Sequence, residues 1–556
     1  MLLLSCGGHR AFTSPPQLPD DRQYIPEPEE REYSWVADGF DKIFTDQLEQ
    51  SFDLSRQFRH LFSKPKQAYN VDAFDEIPNS SWFTNRNGIK KMSLDEIRKG
   101  PDTCDGPDTS GKWIVTRAKA EGVTPGFHIK DKHGNRYVIK FDPKGYPELA
   151  TASEVISTKL FYAMGYFTPE NYITYFNPKI LEVGDNVKFT DANGKKRRMT
   201  DDDLKALIGR IEVDPDGLVR AVASKYIPGI PKGPFAYEGI RKDDYNDYIP
   251  HQHRRELRSL YVTTSWLNHT DTKSGNSFDS YITEDGISYI RHYLIDFGTT
   301  LGSGARGPNP PTVGHENSID PQKLLVKTVA LGMYYPYYEK NAEIKFNSIG
   351  LFDASNFYPG KFKSMTPNPA FDNMTYRDAF WGAKLVMSFT DDQLEAVIKE
   401  GRYSDPEAEA YLFEVLKQRR DKIGRYWFSK INPLDNFRIE NVNGKWQLCF
   451  DDLMVDYGFE SLSNTKYKIM FKADQYESVI ETAKPCAELS GPIDYYNMRN
   501  PSSNNSLPFG YCEVKILTFR KLTGKWSKWI KGFIVYRKAE LGNSAKVELL
   551  GIEREE

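Results

Sequence analysis

The spacing of apolar residues passes along the chain from alternation to helical steps and back to alternation. Three alternating runs, Trp113–Ala118, Phe127–Asp131 and Tyr137–Phe141, are separated by turn chemistry at Glu121-Gly122-Val-Thr-Pro125-Gly126 and His133-Gly134-Asn135, which predicts three short strands. From Leu149 to Met164 the residues Val155, Ile156, Leu160, Phe161 and Met164 recur at three- and four-residue steps, and Gly165 follows as a stop. Strands at Tyr172–Phe176 and Val219–Tyr226 flank an insertion with an Asn193-Gly194 hairpin signal and a short helix over Asp201–Ile211. A helix over Arg254–Leu267 leads into two more strands, Phe278–Ile282 and Ile287–Leu294, joined by a turn at Glu284-Asp285-Gly286. Helical spacing then recurs at Pro321–Leu331, Tyr376–Ser388, Asp391–Glu400 and Pro406–Trp427. Beyond Asn432-Pro433 alternation returns at Trp446–Phe450, Tyr467–Phe471, Tyr511–Phe519, Trp526–Tyr536 and Ala545–Leu550, predicting a separate antiparallel β domain of small-sandwich type. Ahead of the first strand, Phe40, Ile43, Phe44 and Leu48 fall on helical spacing, and Phe58, Leu61 and Phe62 continue it. The loop-like Asn79-Ser-Ser-Trp82-Phe83-Thr-Asn85-Arg86 then packs across the central domain.

A chain of 556 residues has room for more than one domain. Its 39% hydrophobic and 27% charged content is that of a soluble globular protein, and the net charge of −3 gives no footprint for nucleic acid. The aromatic content of 13% fits large mixed cores. Cys104, Cys449, Cys486 and Cys512 lack metal-ligand spacing, and a disulfide among the last three is left open. His251 and His253 have no third ligand nearby in sequence. The Lys195-Lys196-Arg197-Arg198 cluster reads as a solvated hairpin rather than a phosphate site. Arg254 and Arg255 are expected to pair with the acidic residues of the preceding block from Arg241 to Asp247; contact with an acidic substrate group is the sharper alternative. At the N-terminus, Leu3-Leu4-Ser5-Cys6-Gly7 resembles the lipobox of bacterial lipoproteins, in which Cys6 becomes the lipid-bearing first residue once a signal peptide is removed. A polar, proline-rich stretch from Thr13 to Glu32 behind it suits a flexible tether.

The chemistry concentrates between Trp266 and Gly298. His269, Asp271, Lys273 and Asn276 spell H-x-D-x-K-x-x-N, the two strands follow, and the second runs into Asp296-Phe297-Gly298. This order resembles the catalytic loop, strand pair and D-F-G segment of protein-kinase-like enzymes. Tyr137-Val138-Ile139-Lys140 resembles the strand whose lysine holds nucleotide phosphates, and Gly122 and Gly126 occupy the place of the glycine-rich loop without its G-x-G-x-x-G pattern. Glu154 is the candidate partner of Lys140, with Glu148 as a rival because the helix start is fixed only to within a turn.

Residues 111–430 thus resemble the atypical branch of the protein-kinase-like superfamily, of HipA or CotH type. The resemblance implies a two-lobed kinase-like domain (N-lobe 111–226 with an insertion, C-lobe 227–432); with the tether (1–32), the N-terminal extension (33–110) and the β domain (433–556) read from composition and periodicity, the expected fold class is α+β. It implies an ATP- and Mg²⁺-dependent phosphotransferase acting on a hydroxyl, with a protein Ser or Thr as the first acceptor to test. Asp271 would act on the acceptor hydroxyl, Lys273 would neutralise charge on the moving phosphoryl, and Asn276 and Asp296 would hold the metal. Lys140, Glu154, Gly122 and Gly126 would bind the nucleotide. Lys273 weakens a reading as a small-molecule phosphotransferase of aminoglycoside type. The alternative from another class is a membrane-anchored, pseudokinase-like binding protein working through its β domain at the periplasmic or cell-surface face.

Overall fold

Strands β1 (Trp113–Lys119), β2 (Gly126–Lys130) and β3 (Arg136–Lys140) form consecutive hairpins. Their alternation puts Phe127, Ile129, Tyr137 and Ile139 on one buried face, with Phe127 opposite Ile139 and Ile129 opposite Tyr137. The computed structural model describes residues 15, 18–31, 66–119, 126–190, 196–330, 333–499, 509–537 and 546–556. Cys6, Gly122, the Asn193-Gly194 turn and the helical spacing from Phe40 to Phe62 therefore lie outside the described residues. With β4 (Asn171–Phe176), β5 (Leu181–Val183), β6 (Lys188–Thr190), β7 (Lys196–Arg198) and β8 (Val219–Lys225), the hairpins complete an eight-stranded sheet ordered β4-β8-β3-β2-β1-β6-β7, with β5 beside β1. Short helices α1 (Leu94–Lys99) and α3 (Asp201–Ile208) flank the long α2 (Leu149–Met164) in sequence; α3 ends three residues earlier than its spacing predicts, capped at Gly209.

Helix α2 is buried on nearly every side, because β4, α1 and a C-lobe helix all pack on it. Its first turn is capped from a distance. The N-cap residue Glu148 makes no side-chain cap; instead Asp142 accepts from the backbone N–H of Glu148 (2.9 Å), Ala150 (2.8 Å) and Thr151 (2.8 Å). At the other end Gly165 has φ +125°, and a Cβ there would lie 2.2 Å from the Phe83 ring, so only glycine lets the extension cross this point.

The second lobe is helical. α4 (Arg255–Leu267) lies buried between α6 (Tyr376–Met387) and α8 (Pro406–Phe428), with α5 (Pro321–Val329) and α7 (Asp391–Lys399) completing the set. The strands β9 (Ile230–Pro231), β10 (Ser277–Glu284) and β11 (Ile287–Leu294) form a small sheet next to α4 in sequence, ordered β11-β10-β9. The extension crosses both lobes as expected: Trp82 stacks on His292 at 3.5 Å, and Phe83 packs against Tyr166 and Trp381. No helix among the described residues is long and apolar enough to cross a membrane.

After Pro433 come two sheets sharing one core. β12 (Leu434–Val442), β13 (Lys445–Asp452) and β16 (Cys486–Glu488) form one; β14 (Thr465–Ala473), β15 (Tyr476–Thr482), β17 (Phe509–Arg520), β18 (Lys525–Trp526), β19 (Ile530–Arg537) and β20 (Lys546–Arg554) form the other. Leu448 and Phe450 from the first meet Ile469, Val514 and Ile534 from the second, and helix α9 (Ser490–Arg499) packs alongside. A disulfide joins Cys449 to Cys486 across β13 and β16. The strand expected over Trp526–Tyr536 is broken, because three residues (Ser527, Lys528, Trp529) face two on β17 between the Phe519–Trp526 and Ile516–Ile530 pairs.

Candidate active site

Lys140 ends β3 directly opposite Gly126, the first residue of β2. A Cβ on Gly126 would meet the Ile139 carbonyl oxygen at 3.2 Å, tighter than ordinary contact. Lys140 Nζ lies 3.1 Å from Glu154 Oε2 on α2 and 2.9 Å from Asp296 Oδ1 beyond β11. Glu154 is fully used: its Oε1 accepts from the backbone N–H of Phe297 (3.2 Å) and from Asn171 Nδ2 (3.3 Å). One carboxylate thus ties the strand lysine, the D-F-G segment and β4 together. Glu148 is elsewhere, accepting from the backbone N–H of Ser404 at 3.1 Å, so it is not the partner of Lys140.

Burial opposes the charge on Lys140, yet the Asp296 and Glu154 carboxylates outweigh it and hold its pKa above the ordinary lysine value. The Lys140 ammonium in turn draws Asp296 below the usual carboxylate range. Asp296 keeps about half of its side chain exposed, 47%, so it can meet a ligand as well as the lysine.

Helix α4 delivers the loop. It ends at Asn268 with φ 53°, a left-handed turn that asparagine tolerates, and His269 N–H closes back on the Thr264 carbonyl. His269 is buried between the rings of Phe161 and Phe297, and burial pushes its imidazole down to about 4, leaving it neutral at pH 7. Asp271 and Lys273 face each other at 3.0 Å. Asn276 Nδ2 donates to the Asp271 carbonyl (2.7 Å), which leaves Oδ1 as the atom that could meet a cation. The Asn276 carbonyl accepts from the N–H of Ile295 (3.0 Å), which sets Asn276 beside Asp296. Asn368 and Met365, far along the chain, brace the loop through the Thr272 and Thr270 carbonyls.

Ion pairs join Lys140 to Glu154 and Asp296, Asp271 pairs with Lys273, Asn276 is tied to Asp271 and to the residue before Asp296, and Gly126 lies opposite Lys140, while Gly122 is not described. The metal question turns on donor chemistry. Among the described residues no group of three or more His, Cys, Asp or Glu could hold an ion. Asn276 and Asp296 offer hard oxygen donors, which suit Mg²⁺ completed by phosphate oxygens and water. The reading of Arg254 or Arg255 as substrate contacts is overturned: both are buried, Arg254 against Asp247 and Glu256, Arg255 against Asp75 and Asp378. Arg197 is taken by Asp203. Asp142 and Asn171 escape sequence reading, Asn171 for lack of any motif and Asp142 because its capping contact spans a turn.

No family model matches the chain, and no curated protein matches it. Among solved structures it is similar to the Helicobacter pylori proinflammatory kinase CtkA (TM-score 0.28, 13% identity, 59% of this chain and 96% of that one). It is also similar to the Golgi casein kinase, in one structure (TM-score 0.27, 9% identity, 74% of this chain and 95% of that one) and in another with Mn/ADP bound (TM-score 0.28, 8% identity, 74% and 92%). The chain's own fold is α+β: a strand-rich lobe and a helical lobe, with an N-terminal extension and a C-terminal antiparallel β domain.

Proposed function

We propose that this chain is an ATP-dependent phosphotransferase that moves the γ-phosphoryl group to a hydroxyl, with a protein Ser or Thr as the first acceptor to test. The observation that carries the reading is the convergence of Lys140, Glu154 and Asp296 from three separate elements within 3.1 Å. Lys140, held by Glu154, presents its ammonium to the phosphates. Asp296 and the Oδ1 of Asn276 would hold Mg²⁺, which supplies charge neutralisation between the phosphates when bound. Asp271 orients the acceptor hydroxyl and takes its proton, and Lys273 fixes that carboxylate while placing a positive charge beside the transferring group. Calorimetric titration with ATP, with and without Mg²⁺, tests this. Binding should appear only with the metal, and a wild-type protein that binds no nucleotide at millimolar concentration would leave the pseudokinase-like binding protein as the reading.

The placement belongs to the same proposal: a lipid on Cys6 tethers the protein to the outer face of a membrane. The lipobox-like Leu3–Cys6 run supports it, and so does the Cys449–Cys486 disulfide, a bond that persists in oxidising compartments. Mass spectrometry of the protein from its native host should find a diacylated Cys6 at the mature N-terminus; an unmodified Cys6 there sinks the tether.

A further inference from the structure

Between Phe519 and Lys531 the chain carries Arg520, Lys521, Lys525, Lys528 and Lys531, two tryptophans and not one acidic residue. The segment forms the β17–β18 hairpin and the bulge that follows it. Alternation along β17 turns Val514 and Ile516 into the core that the two sheets share, so Leu517 and Phe519 point to the outer face. The register sets Lys466 and Trp526 beside Phe519 on that face, and Lys468 beside Leu517. Lys468 Nζ lies over the Trp526 ring at 4.7 Å, and Lys515 (5.5 Å) and Lys531 (5.0 Å) lie over Trp529. At the turn Leu522 is 74% exposed. The neighbouring Lys521 N–H donates to the Asn464 carbonyl (2.9 Å) and brings in the Leu462–Asn464 turn, whose Leu462 is 42% exposed.

The acidic groups around this face are already engaged. Glu481 pairs with Lys468 (3.0 Å), Glu477 with Lys472 (3.2 Å), Glu513 with Lys531 (3.3 Å) and the buried Asp452 with Arg520 (2.7 Å). Glu555 accepts from the Trp529 N–H (3.3 Å), Glu553 stands opposite Lys531 in the register, and Glu460 has its Oε2 buried. Lys466, Lys521, Lys525 and Lys528 are exposed and make no ion pair among the described residues.

Lysines alone would be the ordinary guard of an exposed sheet edge. An apolar tip and two tryptophans on one face are not needed for that role. A nucleic acid or polysaccharide would use the cations and the ring faces and leave Leu522 in water. A bilayer with anionic lipid uses all three: acyl chains take the leucine, the interface takes the indole rings, and the headgroups take the ammonium groups. We propose that this hairpin docks the β domain onto a bilayer containing anionic phospholipid, with Leu522 entering the acyl region, Trp526 at headgroup level and Lys466, Lys521, Lys525 and Lys528 on the phosphates. The contact is separate from a lipid on Cys6 and from the nucleotide-binding residues, and it rests on neither reading.

The full-length chain carrying Cys6→Ser, which bears no lipid there, is sedimented at physiological salt with vesicles of phosphatidylcholine alone and of phosphatidylcholine and phosphatidylglycerol in equal parts. It should bind the anionic vesicles and not the neutral ones. Brominated acyl chains in the anionic vesicles should quench part of its tryptophan fluorescence. A lysine near an anionic surface contributes about five-fold in affinity, so Lys521→Glu/Lys525→Glu should weaken binding about thirty-fold or more. Leu522→Asp should weaken it about ten-fold or more and remove the quenching. All three positions are exposed, so the melting temperature should match that of the parent chain. Lys466→Glu, on a different strand, supplies an independent charge reversal of about five-fold or more should the hairpin variant fail to fold. The proposal is overturned if the anionic vesicles are not bound, if neutral vesicles are bound equally well, or if the charge reversals leave binding unchanged. Binding that needs the lysines but ignores Leu522→Asp and leaves the fluorescence unquenched also overturns it, and marks the face as one for a soluble polyanion such as dextran sulfate.

Discussion

Asp296 holds φ at 67°, a left-handed backbone that costs a non-glycine residue about 1 kcal/mol. That conformation lets Asp296 reach Lys140 while the next residue, Phe297, is buried on the ring of Phe161 at 4.9 Å. Gly298 follows because a Cβ there would press on Glu154 Oε2 at 3.0 Å. Each residue of the segment thus faces a different neighbour, and the roles separate on substitution. Asp296→Asn should abolish metal-dependent nucleotide binding with the fold intact. Asp271→Asn should keep nucleotide binding while transfer falls by roughly 10²-fold or more, the scale of a positioned base. Lys140→Ala should weaken nucleotide binding more than Glu154→Ala, which only positions the lysine. Calorimetry and single-turnover phosphate transfer on the four variants check this; a uniform loss of melting temperature with no change in binding would make the cluster merely structural.

Helix α2 is the element on which the Lys140 cluster depends, since its one acidic residue facing Lys140 has to arrive at the right height. Asp142 sets that height by taking three backbone N–H groups of the first turn. Asp142→Ala should cost about 0.5–2 kcal/mol, the range for a lost cap, and should weaken nucleotide binding as the first turn frays toward Glu154. Urea unfolding and nucleotide titration read the two effects; lower stability with unchanged nucleotide affinity would detach the cap from the site. The same element shows what a sequence discloses. Its body was legible, because Val155, Ile156, Leu160 and Phe161 repeat at helical steps, and so were the contiguous motifs from His269 to Asn276 and from Asp296 to Gly298. The choice between Glu148 and Glu154 was not, since a helix start uncertain by a turn moves either into range. Asn171 and Asp142 act across turns and strands, where no local spacing announces them. α1 carried a readable capping box, Ser93 with Glu96, in a stretch that otherwise looks irregular. β15 was hidden because an edge strand with Glu477, Ser478 and Glu481 lacks an apolar alternation, and the β17–β19 bulge broke a run that looked continuous.

At the scale of the whole molecule, the parts meet on one buried carboxylate. Asp75, from the extension, lies 2.7 Å from Arg255 of α4, 2.6 Å from Arg377 of α6 and 3.4 Å from Arg554 of β20. Lys384 of α6 adds a second tie, between Glu76 and Asp435 of the β domain. The helix that delivers the His269–Asn276 loop is therefore joined by one side chain to the β domain. Burial works against the charge of Asp75, but the three guanidinium groups outweigh it and hold its pKa well below the usual carboxylate range. Removing that charge leaves buried arginines short of a partner, which costs about 3–5 kcal/mol for a broken buried pair. Asp75→Asn should lower stability by that order at neutral pH, and the melt should divide as the β domain loses its hold on α4 and α6. The pH dependence has a fixed sign. A group whose folded pKa is depressed contributes stability that is complete above its unfolded value, about 3.9 for Asp, and is lost as pH falls through the folded value. Wild type should therefore lose stability steeply below about pH 4, and Asp75→Asn should lose less over the same interval, because it has no such proton left to bind. Urea unfolding at pH 7 and below pH 4, followed by both near- and far-ultraviolet circular dichroism, measures both quantities. A variant within about 0.5 kcal/mol of wild type at pH 7, the usual range for a surface change, would show that the arginines find other partners and that Asp75 is not what holds the β domain.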